Sequence, residues 1–287
     1  MATAIDRNFL AGRLLARKND SHKRDYGHAL LVCGCDSMPG AAVLATGGAL
    51  RSGCGLVTLH TSGRAATAAA CQFPSAMLET DPDGSEAWHV RGIDRYGCIG
   101  IGPGLGTSEA TASAFAGLLR SLSGIGVPAV LDADAINLLA KDPGLAGLIP
   151  EGSVLTPHLG ELRRLLPDWE DGGDAVIRDF CARTGCVLVR KGYHTGIFAP
   201  AGECFENTTG NPGMAKGGSG DVLTGLITGL VARGYDALTA AQLGVWLHGY
   251  AGDRLTEDRT AESYDSRAII DYLHLGFMAL EQPQADS

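Results

Sequence analysis

The chain has 287 residues, a formal net charge of -9 and an apolar fraction of 45%, with 41 glycines and 6% aromatic residues. This length is compatible with one α/β domain around a sizeable buried core, and we predict a single domain over residues 1–287. The negative charge disfavours nucleic acid or an anionic membrane as a partner, because either would repel the chain unless a basic patch compensated.

The N-terminal segment and the cysteines bear on the cellular compartment. Residues 1–18 carry Asp6, Arg7 and Arg13 through their only apolar stretch, which disfavours a signal peptide. No apolar run approaches the ~20 residues that a membrane span needs. The eight cysteines contain no Cys-x-x-Cys pair and lie mostly among apolar residues, so we predict reduced thiols in the cytoplasm rather than disulfides or a zinc site.

Strands and helices are predicted to alternate along most of the chain, between a helical extension at residues 1–20 and a disordered tail at 282–287. The predicted strands cover residues 29–34, 55–60, 98–101, 129–132, 153–156, 187–191 and 195–199. The predicted helices cover residues 41–52, 108–123, 135–140, 160–166 and 174–184, and the pattern after residue 208 is almost wholly helical. Short strands without alternation, separated by helices, are typical of an α/β fold whose mostly parallel sheet is covered on both faces. The strands between residues 187 and 199, followed by 201–203, could form an antiparallel edge.

Polar and glycine-rich segments directly follow several predicted strands, where such sheets bind ligands. One of them, Gly102-Pro103-Gly104-Leu105-Gly106, differs from the dinucleotide fingerprint and therefore disfavours a Rossmann dehydrogenase. By itself this segment is either a tight strand-to-helix turn or a ligand loop.

His158 and Lys191 each follow a predicted strand, and each can be interpreted as a structural or as a functional residue. His158 could be a structural hydrogen-bonding residue or a catalytic one, and its spacing from Glu161 places both side chains on one side of a helical turn. Lys191, followed by Gly192, is either a surface lysine or a functional cation at the end of a strand of the sheet.

Asp132 and Asp134 straddle one residue just past a strand, and Asn137 lies three positions further on. Two carboxylates and an amide could orient Mg²⁺, or Asp132 could bind substrate while Asp134 caps the next helix. We favour a supporting role for this group, with Asp134 as the helix cap. The chain has no Walker lysine-serine pair, which excludes the P-loop as its phosphate-binding device.

The most informative segment is Asn211-Pro212-Gly213-Met214-Ala215-Lys216-Gly217-Gly218-Ser219-Gly220-Asp221, directly before a predicted helix over residues 222–230. Its glycines permit positive φ angles, so backbone N–H groups can gather around an anion. The helix N-terminus then favours a phosphoryl group at Ser219 and Gly220. Asp221, in the first helical turn, could be an N-cap or a base beside that phosphate.

In these motifs the chain resembles the ADP- or ATP-dependent NAD(P)H-hydrate dehydratases of the ribokinase-like superfamily. The resemblance covers most of the chain, in the family's order. Besides residues 211–221, the matching blocks are Gly40-Ala41-Ala42 with Leu50-Arg51-Ser52-Gly53-Cys54-Gly55-Leu56-Val57-Thr58, Ile101-Gly102-Pro103-Gly104-Leu105-Gly106, Leu131-Asp132-Ala133-Asp134-Ala135-Ile136-Asn137, Leu155-Thr156-Pro157-His158, Lys191-Gly192 with Thr195, and Leu247-His248-Gly249.

The resemblance implies a ribokinase-like α/β fold and a repair reaction on NADHX or NADPHX, which are nicotinamide cofactors hydrated on the ring. Asp221 would take the proton of the ring hydroxyl as its oxygen attacks the terminal phosphoryl group of ADP or ATP. The Gly217–Gly220 amides would stabilise the developing charge and Mg²⁺ would bridge the phosphates, before loss of phosphate restores NAD(P)H. We favour ADP as donor, with AMP as product.

The resemblance also implies residue roles. The implied substrate contacts are Ala41, Gly104, Gly106, His158 and Asp221. The implied nucleotide contacts are Lys191, Gly192, Tyr193, His194, Thr195, Gly217, Gly218, Ser219 and Gly220. The implied supporting residues are Asp132, Asn137, Asn211 and Glu161. Leu159 departs from a family proline, and Tyr193 and His194 depart from the small residues usual at those positions, which affects the expected pose of His158 and the adenine affinity.

Further expectations concern partners and alternatives. The family implies an NAD(P)HX epimerase as pathway partner and a homo-oligomer, with a tetramer favoured. We expect no fused epimerase domain, since few residues precede the first predicted core strand. One alternative is a ribokinase-like kinase of a vitamin precursor such as hydroxyethylthiazole, which residues 102–106 and 211–214 disfavour. The other is a non-catalytic nucleotide-binding regulator, which Asp221 and the complete glycine loop disfavour.

Overall fold

The computed structural model describes residues 2–81, 88–170 and 172–282, and its strands form one sheet flanked by helices. The strands in chain order are β1 (Thr3–Ile5), β2 (His28–Val32), β3 (Leu56–His60), β4 (Met77–Glu79), β5 (Cys98–Ile101), β6 (Ala129–Leu131), β7 (Val154–Leu155), β8 (Val187–Arg190), β9 (Gly196–Phe198) and β10 (Cys204–Asn207). The helices are α1 (Arg7–Leu10), α2 (Pro39–Arg51), α3 (Gly63–Gln72), α4 (Glu109–Ile125), α5 (Asp134–Lys141), α6 (Leu159–Leu165), α7 (Asp174–Thr184), α8 (Ser219–Ala232), α9 (Ala237–Asp258) and α10 (Ser266–Glu281).

The sheet is mostly parallel, which confirms the predicted fold class. Its strand order is β1-β10-β9-β8-β7-β6-β5-β2-β3-β4. All neighbours from β8 to β4 are parallel, whereas β9 runs antiparallel to both β8 and β10. The predicted antiparallel pair therefore exists, but it does not form the edge, because β10 and β1 continue the sheet beyond it.

The prediction of a helical extension over residues 1–20 is wrong except for the single helical turn α1. Thr3–Ile5 instead form an edge strand that pairs in parallel with β10. Asp6 then accepts a hydrogen bond from the Phe9 amide at 2.7 Å and caps the four-residue helix α1. Ile5 and Leu10 are fully buried, so pairing and burial hold this segment on the sheet. Of the predicted tail, residues 283–287 lie outside the described residues.

Small residues let α8 pack closely against α2 and the sheet. A Cβ atom on Gly225 would lie 1.9 Å from the Ala45 carbonyl oxygen, and one on Gly48 would lie 2.2 Å from that of Val222. A Cβ on Gly100 in β5 would meet the Thr228 hydroxyl at 2.4 Å. This close packing holds the N-terminus of α8 near the carboxyl ends of the parallel strands.

All eight cysteines lie in the described part of the chain and are free, in agreement with the prediction of unpaired thiols. Cys33, Cys98, Cys181 and Cys186 are buried. Among the described residues, no helix is both long enough and apolar enough to cross a bilayer.

Candidate active site

The N-terminus of α8 carries the predicted carboxylate. Ser219 begins the helix, and Asp221 is the acidic residue of its first turn, as predicted. The N-cap is Gly218 with φ +89°, a left-handed conformation that favours glycine, and no side chain caps this end. Asp221 therefore does not act as the N-cap, and its carboxylate is available for another role.

A partly buried ion pair lies beside Asp221, in which Asp132 is buried and the Lys191 side chain is 21% exposed. Lys191 Nζ donates to Asp132 Oδ1 at 2.6 Å, and the Thr224 hydroxyl donates to Asp132 Oδ2 at 2.6 Å. Asp132 is 1% exposed, so both carboxylate oxygens are held in place at the end of β6. A Cβ on Gly220 would lie 3.1 Å from Lys191 Nζ, which shows how closely the lysine approaches the start of α8.

The electrostatic setting of Asp221 suits a proton acceptor. Burial, with a further contribution from the charge on Asp132, raises the pKa of Asp221 to about 6, and the Lys191 cation opposes this increase. A carboxylate with a pKa near 6 is ionised at neutral pH yet basic enough to accept a proton. The structure therefore places a carboxylate with a raised pKa at a helix N-terminus, beside the Lys191 cation.

A cleft of about 740 Å³ opens next to this cluster. Eight predicted site residues line it, namely His158, Lys191, Gly192, Tyr193, Thr195, Asn211, Ser219 and Gly220. The apolar part of its wall includes Met214, Leu223 and Val245. Asp221 lies in the chain between two residues that line the cleft, Gly220 and Leu223.

His158 has the structural hydrogen-bonding role, which is one of the two alternatives predicted for it. Its Nδ1 accepts hydrogen bonds from the amides of Gly160 at 2.9 Å and Glu161 at 3.3 Å, and so caps α6. Glu161, which is 4% exposed, accepts in return from the His158 amide at 2.9 Å. A parallel bridge joins His158 to Lys191, so the cap also belongs to the wall of the cleft.

The segment from Lys191 to Thr195 forms a loop at one side of the cleft. The Thr195 hydroxyl donates to the Gly192 carbonyl at 3.1 Å and thereby closes the loop. Tyr193 is 81% exposed and packs edge-on against His194, with ring centroids 4.3 Å apart. His194 lies 3.5 Å from Glu206, so it turns away from the cleft that the other four residues line.

The glycine turn at residues 102–106 lies beside Ala41 in α2. Gly104 has φ +65°, and a Cβ there would lie 2.8 Å from the Ala41 methyl group, so these two predicted contacts are neighbours. Asp134 accepts from the Gly106 amide at 2.8 Å and from Asn137 at 3.3 Å. The prediction that Asp134 caps α5 is wrong, because Ala133 is the N-cap and Asp134 instead holds the turn at Gly106.

Several residues that support the site were missed by sequence reasoning. Asp253 accepts from the Gly210 amide at 2.8 Å and from Asn211 Nδ2 at 3.1 Å, while the Tyr264 hydroxyl donates to Asn211 Oδ1 at 2.7 Å. Lys216 donates to three carbonyl oxygens of residues 261–264. These contacts hold the segment that precedes the glycine loop. The paired residues lie 42 to 53 positions apart, so no local sequence pattern could predict them.

Ser219 has a buried partner in α9. Its hydroxyl lies 3.3 Å from His248 Nε2, and burial lowers the pKa of His248 to about 4. The imidazole is therefore neutral at physiological pH and orients the hydroxyl without adding charge. The motif Leu247-His248-Gly249 was the only sequence signal for this contact.

No group of three or more His, Cys, Asp or Glu residues is gathered as a metal site within the described ranges. Both oxygens of Asp132 already accept hydrogen bonds, and Asp134 is engaged with Gly106 and Asn137. A Mg²⁺ ion at this site would therefore depend mainly on phosphate and water oxygens, which is common for this ion.

The family described as NAD(P)H-hydrate dehydratase matches residues 29–275. The chain is 35% identical over 285 residues to a bifunctional NAD(P)H-hydrate repair enzyme of Moorella thermoacetica, covering 94% of this chain and 53% of that protein. It therefore spans about half the length of such bifunctional relatives. It is 37% identical over 249 residues to an ADP-dependent (S)-NAD(P)H-hydrate dehydratase of Neisseria meningitidis, covering 84% of this chain and 81% of that protein.

Solved structures agree with these sequence matches. The ADP/ATP-dependent NAD(P)H-hydrate dehydratase from Bacillus subtilis, co-crystallised with ATP/Mg²⁺, superposes with a TM-score of 0.85 at 31% identity, over 98% of this chain and 99% of that one. A ribokinase-like superfamily protein from Enterococcus faecalis gives a TM-score of 0.83 at 28% identity, over 98% and 97% of the two chains. The predicted ribokinase-like fold is confirmed.

Proposed function

Because this chain belongs to the NAD(P)H-hydrate dehydratase family, we propose that it restores hydrated NADH and NADPH by dehydration driven by ADP or ATP. The observation that carries the proposal is Asp221, a carboxylate with its pKa raised to about 6 in the first turn of α8, next to an anion-binding glycine loop. A proton acceptor and a phosphate site at one helix terminus provide what phosphorylation of a hydroxyl group needs.

The reaction begins with proton transfer. Asp221 accepts the proton of the hydroxyl on the hydrated ring as that oxygen attacks the terminal phosphorus atom of the nucleotide. The bond from this phosphorus to the bridging oxygen breaks, and AMP leaves when ADP is the donor. The ring nitrogen's lone pair then assists departure of phosphate from the neighbouring carbon, and loss of a proton from the adjacent ring carbon restores the dihydropyridine.

The chain supplies electrostatic stabilisation for the transferred group. Amides of Gly217, Gly218 and Gly220 lie at the start of α8, where helix N–H groups lack intrahelical acceptors. Lys191 adds a fixed cation next to Gly220. Mg²⁺ bound to the nucleotide would neutralise part of the phosphate charge, as in other phosphoryl transfers.

The adenine nucleotide is proposed to occupy the 740 Å³ cleft, with its phosphates toward Ser219 and Gly220. Tyr193, which is largely exposed at the rim, offers an aromatic face to adenine. ADP is favoured as donor, which the names of the Neisseria meningitidis and Bacillus subtilis relatives support. In this proposal Ala41, Gly104 and Gly106 contact the hydrated dinucleotide, and His158 does so through the exposed side of its ring.

The proposal includes the protein's setting. Eight free thiols suit a reducing compartment, and we place the protein in the cytoplasm. The bifunctional names of several relatives support a second activity acting alongside this one. The family resemblance implies that this second activity is an NAD(P)HX epimerase. A homo-oligomer, with a tetramer favoured, remains a prediction from the family.

The proposed function predicts a specific pH profile for the repair reaction. Absorbance of reduced nicotinamide should return when the protein is incubated with hydrated NADH, Mg²⁺ and ADP. Because Asp221 must be ionised to accept a proton, kcat/KM should be constant above about pH 7 and should fall tenfold per pH unit below an apparent pKa of about 6. A profile that stays flat down to pH 5 would contradict a role for Asp221 as the base.

A further inference from the structure

Another pocket lies between α5 and α6, beside the glycine turn at residues 102–106. It has a volume of about 430 Å³. Its polar lining comes from the residue after this turn and from both helices, and includes Thr107, Asn137, Lys141 and Arg164. The turn itself carries Gly104 and Gly106, and α6 begins after its cap, His158. The pocket therefore lies between two of the segments that are proposed to contact the hydrated dinucleotide.

Two cations of this pocket are held by neutral oxygen atoms. Lys141 Nζ donates to the Thr107 carbonyl at 3.1 Å, and Arg164 Nε donates to Asn137 Oδ1 at 3.0 Å. Among the residues that the structure describes, neither cation contacts a carboxylate, and each keeps unused N–H donors. The two side chains are thus positioned by their hydrogen bonds while their charges are left for an external anion.

Asp134 also lines the pocket, but its carboxylate is already engaged. Oδ2 accepts from the Gly106 amide at 2.8 Å, and Oδ1 accepts from Asn137 Nδ2 at 3.3 Å. Since Asn137 accepts from Arg164, hydrogen bonds run without interruption from the glycine turn to the guanidinium group. Asp134 therefore holds the pocket in shape, and the charges of Lys141 and Arg164 together exceed its own.

Close contacts connect the pocket to the proposed base. A Cβ on Gly220, which precedes Asp221, would lie 3.5 Å from Asp132 Oδ2. A Cβ on Gly102 would lie 1.8 Å from the carbonyl oxygen of Asp132, and Asp134 follows two positions later in the chain. From Asp221 outward, the order is therefore Asp132, then the glycine turn with Asp134, and then the pocket. A ligand that reaches from the base to the pocket passes over the glycine turn.

We propose that this pocket binds the 2′-phosphate on the adenosine ribose of hydrated NADPH, with Lys141 and Arg164 as specificity residues. The inference rests on the proposed function, because it places the reacting ring at Asp221. The bridging pyrophosphate of the dinucleotide offers the same chemistry, but it lies nearer the reacting ring and so over the glycine turn. The 2′-phosphate is a monoester with a charge of about −1.5 to −2 at pH 7, which is complementary to two cations.

The first experiment compares the two hydrated dinucleotides in matched variants. Arg164→Gln removes the guanidinium charge, and the new amide can still donate to Asn137. KM for hydrated NADPH should rise about five- to tenfold at nearly constant kcat, as expected for the loss of a charged hydrogen bond in a solvent-exposed pocket. KM for hydrated NADH should change by less than about twofold, since it lacks the 2′-phosphate. Arg120→Gln makes the same change at an exposed arginine of α4 outside the pocket and should alter neither KM.

The second cation and the ionic strength give a further arm. Lys141→Gln should also raise KM for hydrated NADPH and not that for hydrated NADH. In the wild type, added salt should raise KM for hydrated NADPH more steeply than KM for hydrated NADH, because salt screens an interaction that only one of them makes. An equal rise for both dinucleotides in Arg164→Gln and Lys141→Gln would assign the pocket to the pyrophosphate and overturn the proposal.

Binding without turnover separates this inference from the proposed function. With the nucleotide cleft saturated by AMP, calorimetry should show that NADPH binds the wild type about five- to tenfold more tightly than NADH, and Arg164→Gln should abolish this difference. Equal affinities of NADPH and NADH for the wild type would overturn the inference and leave the repair function standing. Absence of repair by the wild type would instead overturn the proposed function.

Discussion

Substitution of Asp221 by asparagine should lower kcat for the repair reaction by about 10²- to 10⁴-fold, the range expected for the loss of a general base. The amide has nearly the same shape as the carboxylate but cannot take a proton at neutral pH. The glycine loop and Lys191 would remain in place, so nucleotide affinity should change little. Steady-state kinetics of hydrated NADH repair, with nucleotide binding by calorimetry, would measure both effects.

Loss of activity in this variant should not reflect unfolding. The pKa of Asp221 is raised above the usual value for an aspartate, so its ionisation lowers the stability of the native state as the pH rises through about 6. Asp221→Asn should therefore be at least as stable as the wild type at pH 7. Asp236→Asn, at the N-cap of α9, makes the same chemical change at another helix start and should keep full activity.

A variant that keeps more than a tenth of wild-type turnover would remove Asp221 from the mechanism. A non-catalytic nucleotide-binding regulator would show no turnover in either form and unchanged nucleotide binding. The two measurements together therefore distinguish an enzyme from a sensor.

Replacement of Lys191 by methionine should lower the free energy of unfolding by about 3–5 kcal/mol, because it leaves the Asp132 carboxylate buried without its charge partner. The Lys191 cation also opposes the increase in the Asp221 pKa, so its removal should move the acid limb of the pH profile to higher pH. Denaturant titration and the pH dependence of kcat/KM test the two effects separately.

The double variant Lys191→Met with Asp132→Asn is the matched control. It removes both charges, and the asparagine oxygen can still accept from Thr224, so most of the lost stability should return. Activity should remain low, since the cation beside Gly220 is still absent. Equal stability of the single and double variants would show that this ion pair is not the source of the destabilisation.

The parts of the fold that were predictable are those with a local signal. The strand over 98–101 and the helix over 174–184 have the predicted bounds, since one is a continuous buried apolar run and the other ends at Gly185, a left-handed C-cap. In contrast, β1 has three residues and depends on pairing with β10, about 200 positions away, which no local pattern can indicate.

The candidate site divides in the same way. The glycine loop and Asp221 are contiguous in the chain, so the sequence alone indicated a carboxylate at a helix N-terminus. The partner of Asp132 in α8, in contrast, lies 92 residues away. The prediction that Asp134 caps α5 is wrong because Ala133, with a positive φ of 48°, takes the N-cap position, while the Asp134 carboxylate accepts from the Gly106 amide.

The product balance of one reaction would establish whether this protein is a dehydratase. The purified protein would be incubated with hydrated NADH, Mg²⁺ and ADP, and NADH, AMP and inorganic phosphate would be quantified together over time. A dehydratase should form the three products in equal amounts, with the same outcome for ATP except that ADP replaces AMP. Nucleotide consumption with phosphate retained on an organic product and no NADH formed would contradict it, because that is the result of a kinase.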